Sequence, residues 1–261
     1  MTQDTVTLAH VLEGRPEAPV LVLPSSLGTT RELWDAQTAA LGRDFRVLRY
    51  EHRGHGASPV PPGPYSMSDL GADAIDLLDE LGIARAVWCG LSLGGMVGMW
   101  LAVHAPERLS GLVLACTSAR IAAPEAYRER ATLVRERGIE PVAAAIVARW
   151  FTSTTFHERP ELPERFRAIV VAQPVEGYAG CCEALAGWDF RDQLASIPVP
   201  TLVVAGSEDE ATPAPETELI AERIPGARRV VLDGAAHLAN LERPDAFLDA
   251  VLPHLLEHAR A

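Results

Sequence analysis

The chain has 261 residues, 48% of them hydrophobic and 22% charged, which suits one large buried core and excludes a disordered or fibrous protein. Its formal charge of -12 disfavours a nucleic-acid surface, because neutralising phosphates takes clustered cations. Every Lys or Arg position is Arg, and the absence of Lys removes lysine Schiff-base chemistry and a phosphate-loop lysine.

Residues 1–5 show no basic segment leading into an apolar one, and no apolar run reaches bilayer length, so a cytoplasmic protein without a membrane anchor is expected. The cysteines, at 89, 116, 181 and 182, have neither Cys-x-x-Cys spacing nor a nearby His pair. Reduced, buried thiols are expected, with no metal and no cofactor.

Short Val- and Leu-rich runs at 19–23, 46–50, 86–89, 112–115, 201–205 and 229–232 alternate with helical patterns. Runs apolar on both faces read as central strands of a mostly parallel sheet, so the fold class is α/β. Between the second and third, Ser68 is placed to cap a helix whose apolar positions Leu70, Ala74, Leu77, Leu78 and Leu81 follow the 3.6 period, with Gly82 as the stop. The strand and helix alternation breaks at 119–192, where Pro124, Pro141, Pro160, Pro163 and Pro174 punctuate a helical pattern. This stretch is read as a helical lid inserted between core segments 1–118 and 193–261. It carries ten Arg against eleven acidic residues, so anion recognition is expected there rather than on the acidic core. Further on, Pro215 stands where a first-turn proline belongs, Pro225 closes that helix, and a last helix is expected over 244–256.

The strand at 86–89 runs directly into Gly90-x-Ser92-x-Gly94, followed by Gly95 and a helical segment. Small residues around a Ser on so tight a turn are what a nucleophile elbow requires. In chain order the nucleophile is followed by an acid and then a His. Asp209, in the loop after the fifth run, is the candidate acid; Glu208 and Glu210 are read as exposed loop charges. His237, in a loop of small residues after the last run, is the candidate base. His10, His104, His157, His254 and His258 have no partner motif and are read as solvated or structural. The oxyanion needs backbone N–H donors from Leu93 and from the loop after the first run, where Leu27 is preferred and Ser26 is the neighbouring alternative.

With these motifs the chain resembles the α/β-hydrolase superfamily over nearly its whole length. Arg53-Gly54-His55-Gly56-Ala57-Ser58 is similar to its structural turn after the second run, so His52 and His55 are discounted as bases; Glu51 stands where the family usually has Asp. A narrower resemblance, to the 3-oxoadipate enol-lactonase family of the β-ketoadipate pathway, rests on the stretches 25–29, 148–152 and 176–182. The N-terminal segment is shorter than usual there, implying a reduced first strand.

The resemblance implies hydrolysis of an enol-lactone bearing an acetate side chain. Ser92 would attack, His237 take the proton, Asp209 orient the imidazole, and Leu27 and Leu93 receive the oxyanion. The small anionic substrate calls for a cation, and Arg149 is the candidate, with Trp150 lining the pocket; an Arg beside a Trp is equally often a solvated residue beside a core one. A carboxylesterase or a cofactor-free perhydrolase would carry the same triad, and a non-catalytic ligand-binding relative is the alternative of a different class.

Overall fold

The computed structural model describes residues 6–259. A seven-stranded sheet is formed by β1 (His10–Glu13), β2 (Val20–Pro24), β3 (Arg46–Tyr50), β4 (Ala86–Leu91), β5 (Leu109–Ala115), β6 (Thr201–Gly206) and β7 (Arg228–Leu232), in the spatial order β1-β3-β2-β4-β5-β6-β7. Six expected strands are present, and all their pairings are parallel. Residues of β4, β5 and β6 are buried throughout, as strands covered on both faces must be. The additional strand, β1, runs antiparallel to β3 with His10 opposite Tyr50. Four partly exposed residues ending in Glu13 give no apolar run, so this edge strand leaves little trace in the sequence.

Around the sheet lie α1 (Asp35–Leu41), α2 (Met67–Glu80) and α3 (Leu93–His104). The expected cap of α2 is corrected by the structure. Ser66, extended at φ -123°, accepts from the Asp69 N–H, and Asp69 bonds back to the Ser66 N–H, completing a capping box; Ser68 lies inside the helix. Beginning two residues earlier also buries Met67, a residue the apolar count from Leu70 leaves out.

Between β5 and β6 the chain forms five helices: α4 (Pro124–Arg137), α5 (Glu140–Ala148), α6 (Ser153–Glu158), α7 (Glu161–Val171) and α8 (Val175–Ala186). After β6 come α9 (Ala214–Arg223), α10 (Ala239–Glu242) and α11 (Pro244–His258), the last running two residues beyond the expected end.

Strand β5 shows how both faces are covered. Successive residues face opposite ways: Leu112 reaches Gly98 of α3, while Gly111 faces His258 of α11. A Cβ on Gly111 would lie 2.7 Å from the His258 Cβ, so glycine lets α11 seat directly on the strand. Ser110 and Gly111 also explain why this strand begins three residues before its apolar run. On the α11 side, Trp34 packs against Phe247 with ring centroids 6.0 Å apart and donates its indole N–H to the Pro24 carbonyl at 2.7 Å.

Candidate active site

Because β2, β4, β6 and β7 are mutually oriented in one direction, the loops that follow them gather at the same edge of the sheet. Ser92 follows β4 at φ 54° and ψ -116°, a strained conformation for a residue with a side chain. The turn is held from all sides. The Ser92 N–H donates to the Ala115 carbonyl at 2.9 Å, and the Ser92 carbonyl accepts from the N–H groups of Gly95 and Met96 at 2.9 and 3.0 Å and from Thr117 Oγ1 at 2.8 Å. Gly90 is required here, since a Cβ would fall 2.1 Å from the Gly94 carbonyl oxygen.

Asp209 follows β6 and His237 follows β7, and their side chains meet: His237 Nδ1 lies 2.9 Å from Asp209 Oδ2, with the side chains 5% and 1% exposed. Asp209 Oδ1 accepts from the Ala211 and Thr212 N–H groups at 2.8 and 2.9 Å, and Oδ2 accepts from Thr212 Oγ1 at 2.7 Å. Burial by itself raises the Asp209 pKa, but the His237 ring and the Thr212 hydrogen bonds outweigh it and hold the carboxyl below its ordinary range. A carboxylate on Nδ1 fixes the proton there and leaves Nε2 as the acceptor. Ser92 and His237 line one cavity, which also includes Leu27, Met96, Tyr127, Arg130, Arg149 and Trp150. Glu208 and Glu210 make no contact of this kind: Glu208 is exposed, and so is Glu210.

The loop after β2 presents its amides unequally. The Ser26 N–H is taken by Thr29 Oγ1 at 2.7 Å, the Gly28 N–H by His55 Nε2 at 2.9 Å, and the Thr29 N–H by the Ser26 carbonyl at 2.9 Å. The Leu27 N–H has no protein partner among the described residues. Across the cavity, the Leu93 N–H donates to Ser26 Oγ at 3.3 Å. His55, discounted as a base, thus anchors this loop.

Arg149 and Trp150 differ in their placement. Trp150 is buried in the cavity wall, whereas Arg149 is exposed and spends one guanidinium N–H on the Glu210 carbonyl at 2.6 Å. A second cation on the cavity wall, not singled out from the sequence, is Arg130 of α4. It is half-buried, lines the cavity, lies 4.8 Å from the Tyr127 ring centroid, and has no carboxylate within ion-pair distance among the described residues. A signal for it exists. Ala126 and Val134 stand one turn away on either side, Tyr127 and Leu133 at three residues, so α4 offers it no acid, whereas Arg128 has Glu125.

One group with metal-ligating composition occurs among the described residues, His254, Glu257 and His258. It sits at the far end of α11, where His254 is buried rather than solvated and its Nδ1 accepts from Arg228 at 3.1 Å. No helix is long and apolar enough to cross a membrane.

Comparison with known proteins gives one consistent grouping. Residues 19–244 match the family described as alpha/beta hydrolase fold. The chain is 41% identical to 3-oxoadipate enol-lactonase 2 of Acinetobacter baylyi, covering 96% of this chain and 94% of that protein. Among solved structures it is similar to the enol-lactonase from Burkholderia xenovorans LB400, with a TM-score of 0.94 and 41% identity over 96% of this chain and 97% of that one. It is likewise similar to a hydrolase from Pseudomonas aeruginosa, with a TM-score of 0.93 and 49% identity over 96% and 94%.

Proposed function

Because the chain belongs to the α/β-hydrolase family, we propose that it is a serine hydrolase that opens 3-oxoadipate enol-lactone to 3-oxoadipate. The observation that carries this reading is a single cavity holding the Ser92 elbow, the His237 ring paired with buried Asp209, and an Arg130 guanidinium without a carboxylate. Relatives of matching length that bear the enol-lactonase name support the choice of substrate.

In this mechanism Ser92 Oγ attacks the lactone carbonyl while His237 Nε2 takes its proton. The developing oxyanion is received by the Leu93 and Leu27 N–H groups. The unpaired Leu27 amide favours it over Ser26, whose N–H is already engaged. The Leu93 N–H, which donates to Ser26 Oγ at 3.3 Å, would turn from that hydroxyl to the oxyanion. The acyl–oxygen bond then breaks, the enolate oxygen takes the proton from His237, and the resulting enol becomes a ketone. Water, deprotonated by the same ring, attacks the Ser92 ester and releases the second carboxylate. An enolate is a weakly basic leaving group, so this second half is the slower one.

Arg130 replaces Arg149 as the residue assigned to the substrate's free carboxylate. A guanidinium held beside an aromatic face, inside the cavity and without an internal acid, is available to a bidentate anion. Arg149 already serves the Glu210 carbonyl. Residues 119–192 act as a lid over a core of 1–118 and 193–261, and the reaction is placed in the cytoplasm.

Side-by-side assays of the enol-lactone and a neutral aryl ester test the reading. We expect kcat/KM for the lactone to exceed that for the ester by at least about 100-fold, and Ser92→Ala to lose both activities by about 10⁴-fold or more. A preference for the neutral ester would make the protein a carboxylesterase, and activity retained without Ser92 would remove the nucleophile.

A further inference from the structure

A buried polar cluster outside the triad centres on Glu242, at the end of α10. Its side chain is 5% exposed and accepts four hydrogen bonds. Oε1 receives the Thr152 N–H at 2.8 Å, Thr152 Oγ1 at 2.9 Å and Thr155 Oγ1 at 2.6 Å. Oε2 receives the Ala236 N–H at 2.6 Å. All four contacts have the carboxylate as acceptor, two of them from backbone N–H groups, and among the described residues no cation lies at ion-pair distance.

Those partners belong to two places far apart in sequence. Thr152 caps α6 in the 119–192 insertion, and Thr155 lies in its first turn. Ala236 immediately precedes His237. The residue on the other side of His237 is tied to the same segment, since the Leu238 N–H donates to the Trp150 carbonyl at 3.0 Å. Arg159, just past α6, reaches back to the carbonyls of Leu241 and Glu242 at 3.3 and 3.0 Å. The residues on both sides of His237 are therefore held by contacts that lead to the turn 150–155.

We infer that Glu242 is a positioning residue that fixes the His237 backbone to the 150–155 turn, so that the place of the base depends on the place of the insertion. Burying an acid at this junction has a specific use. A backbone N–H cannot turn to become an acceptor, and the two backbone donors, of Thr152 and Ala236, lie on opposite oxygens of the carboxylate. A Gln at this position satisfies one of them and presents an NH₂ group to the other, whichever way its amide faces. The Thr hydroxyls can rotate in response; the amides cannot. Asp is one methylene short of spanning the two sides. Displacement of the His237 peptide by a fraction of an ångström moves Nε2 relative to Ser92 Oγ, and misplacement by about 1 Å costs on the order of 100-fold in rate.

The inference rests on His237 being the base, and that premise has its own control. Labelling of Ser92 by a fluorophosphonate in the unaltered protein, and its loss in His237→Ala, would establish the premise whatever Glu242 does. The test is Glu242→Gln assayed with a small neutral ester, p-nitrophenyl acetate, so that the substrate assignment is not at stake. Rates are taken per fluorophosphonate-titrated site, which counts folded, competent enzyme and removes any loss through unfolding. The expected result is a kcat per site lower by about 10- to 100-fold with KM changed by less than about threefold. A purely structural carboxylate would lower the melting temperature and leave kcat per site as it was, and that result overturns the proposal. If Glu242→Gln does not fold, Thr155→Val decides instead: it removes a donor on the insertion side alone, 87 residues away from Glu242 in sequence. A kcat per site lowered by about threefold supports the link, and an unchanged one overturns it.

Discussion

The loops that follow β4, β6 and β7 and the helices between β5 and β6 face each other across one cavity, yet their residues are placed by different physics. Ser92, Asp209 and His237 each sit just beyond the carboxyl end of a parallel strand, so strand direction and a few small residues determine where they converge. Arg130 projects from α4, and Arg149 and Trp150 lie in the turn after α5, so their positions depend on helix packing and on ties such as Leu238 to Trp150. The strand-end residues are therefore fixed by local chain geometry, while the cavity wall opposite them depends on how the helices pack.

The largest loss of activity is expected from a change at the strand ends. Asp209→Asn should leave the geometry in place but supply the wrong tautomer of His237, and kcat is expected to fall by about 10³- to 10⁴-fold. Steady-state rates on both lactone and neutral ester check this, and equal losses on the two substrates are required.

Next in size is the helix side. Arg130→Met should raise KM for the carboxylated lactone by about 100-fold while affecting a neutral aryl ester far less, as expected when a charge-assisted hydrogen-bonded pair is lost. Arg149→Ala should change the lactone KM by less than about threefold, because its guanidinium is exposed and already bound to the Glu210 carbonyl. A reversal of these two outcomes would return the anion site to Arg149.

Legibility in the sequence divides along the same line. The elbow is legible because Gly90 must lack a side chain for the backbone to turn so tightly at Ser92. Strand β1 is not, since four half-exposed residues at an edge carry no apolar period. Ser68 looked like a cap because it precedes Leu70, whereas the acid that completes the box, Asp69, pairs with Ser66. Arg130 is less legible because a cation without a carboxylate is recognised by what is missing around it in space, and spacing along α4 shows only half of that. The unequal amides of residues 26–29 were hidden for a similar reason: Gly28 is engaged by His55, which is 27 residues away in sequence.

Stability should depend on pH through the turn that holds this loop. Burial lowers the pKa of His52 from 6.5 to about 3 and that of His55 from 6.5 to about 4, so both rings stay neutral in the folded protein while the unfolded chain takes up protons below pH 6.5. Their contribution is fully present above pH 6.5 and is lost as pH falls toward 4, at up to about 1.4 kcal/mol per pH unit for each ring. Urea titrations at pH 7, 6 and 5 should show the midpoint falling at each step, and a midpoint that stays level would contradict the neutral, buried state of these rings.

The smallest expected effect concerns α2, remote from chemistry. Ser66→Ala should cost about 1 kcal/mol as a lost cap, and Ser68→Ala less than about 0.5 kcal/mol. Equal costs, measured by chemical denaturation, would argue against the capping box.

Ser92 and Cys116 are the described non-glycine residues with positive φ, and each stands at the end of a neighbouring strand. A chain selected only to endure would not keep a serine there. Glycine at 92 should melt at a higher temperature and, on the proposed mechanism, be inactive, so the serine is held there short of the chain's greatest durability.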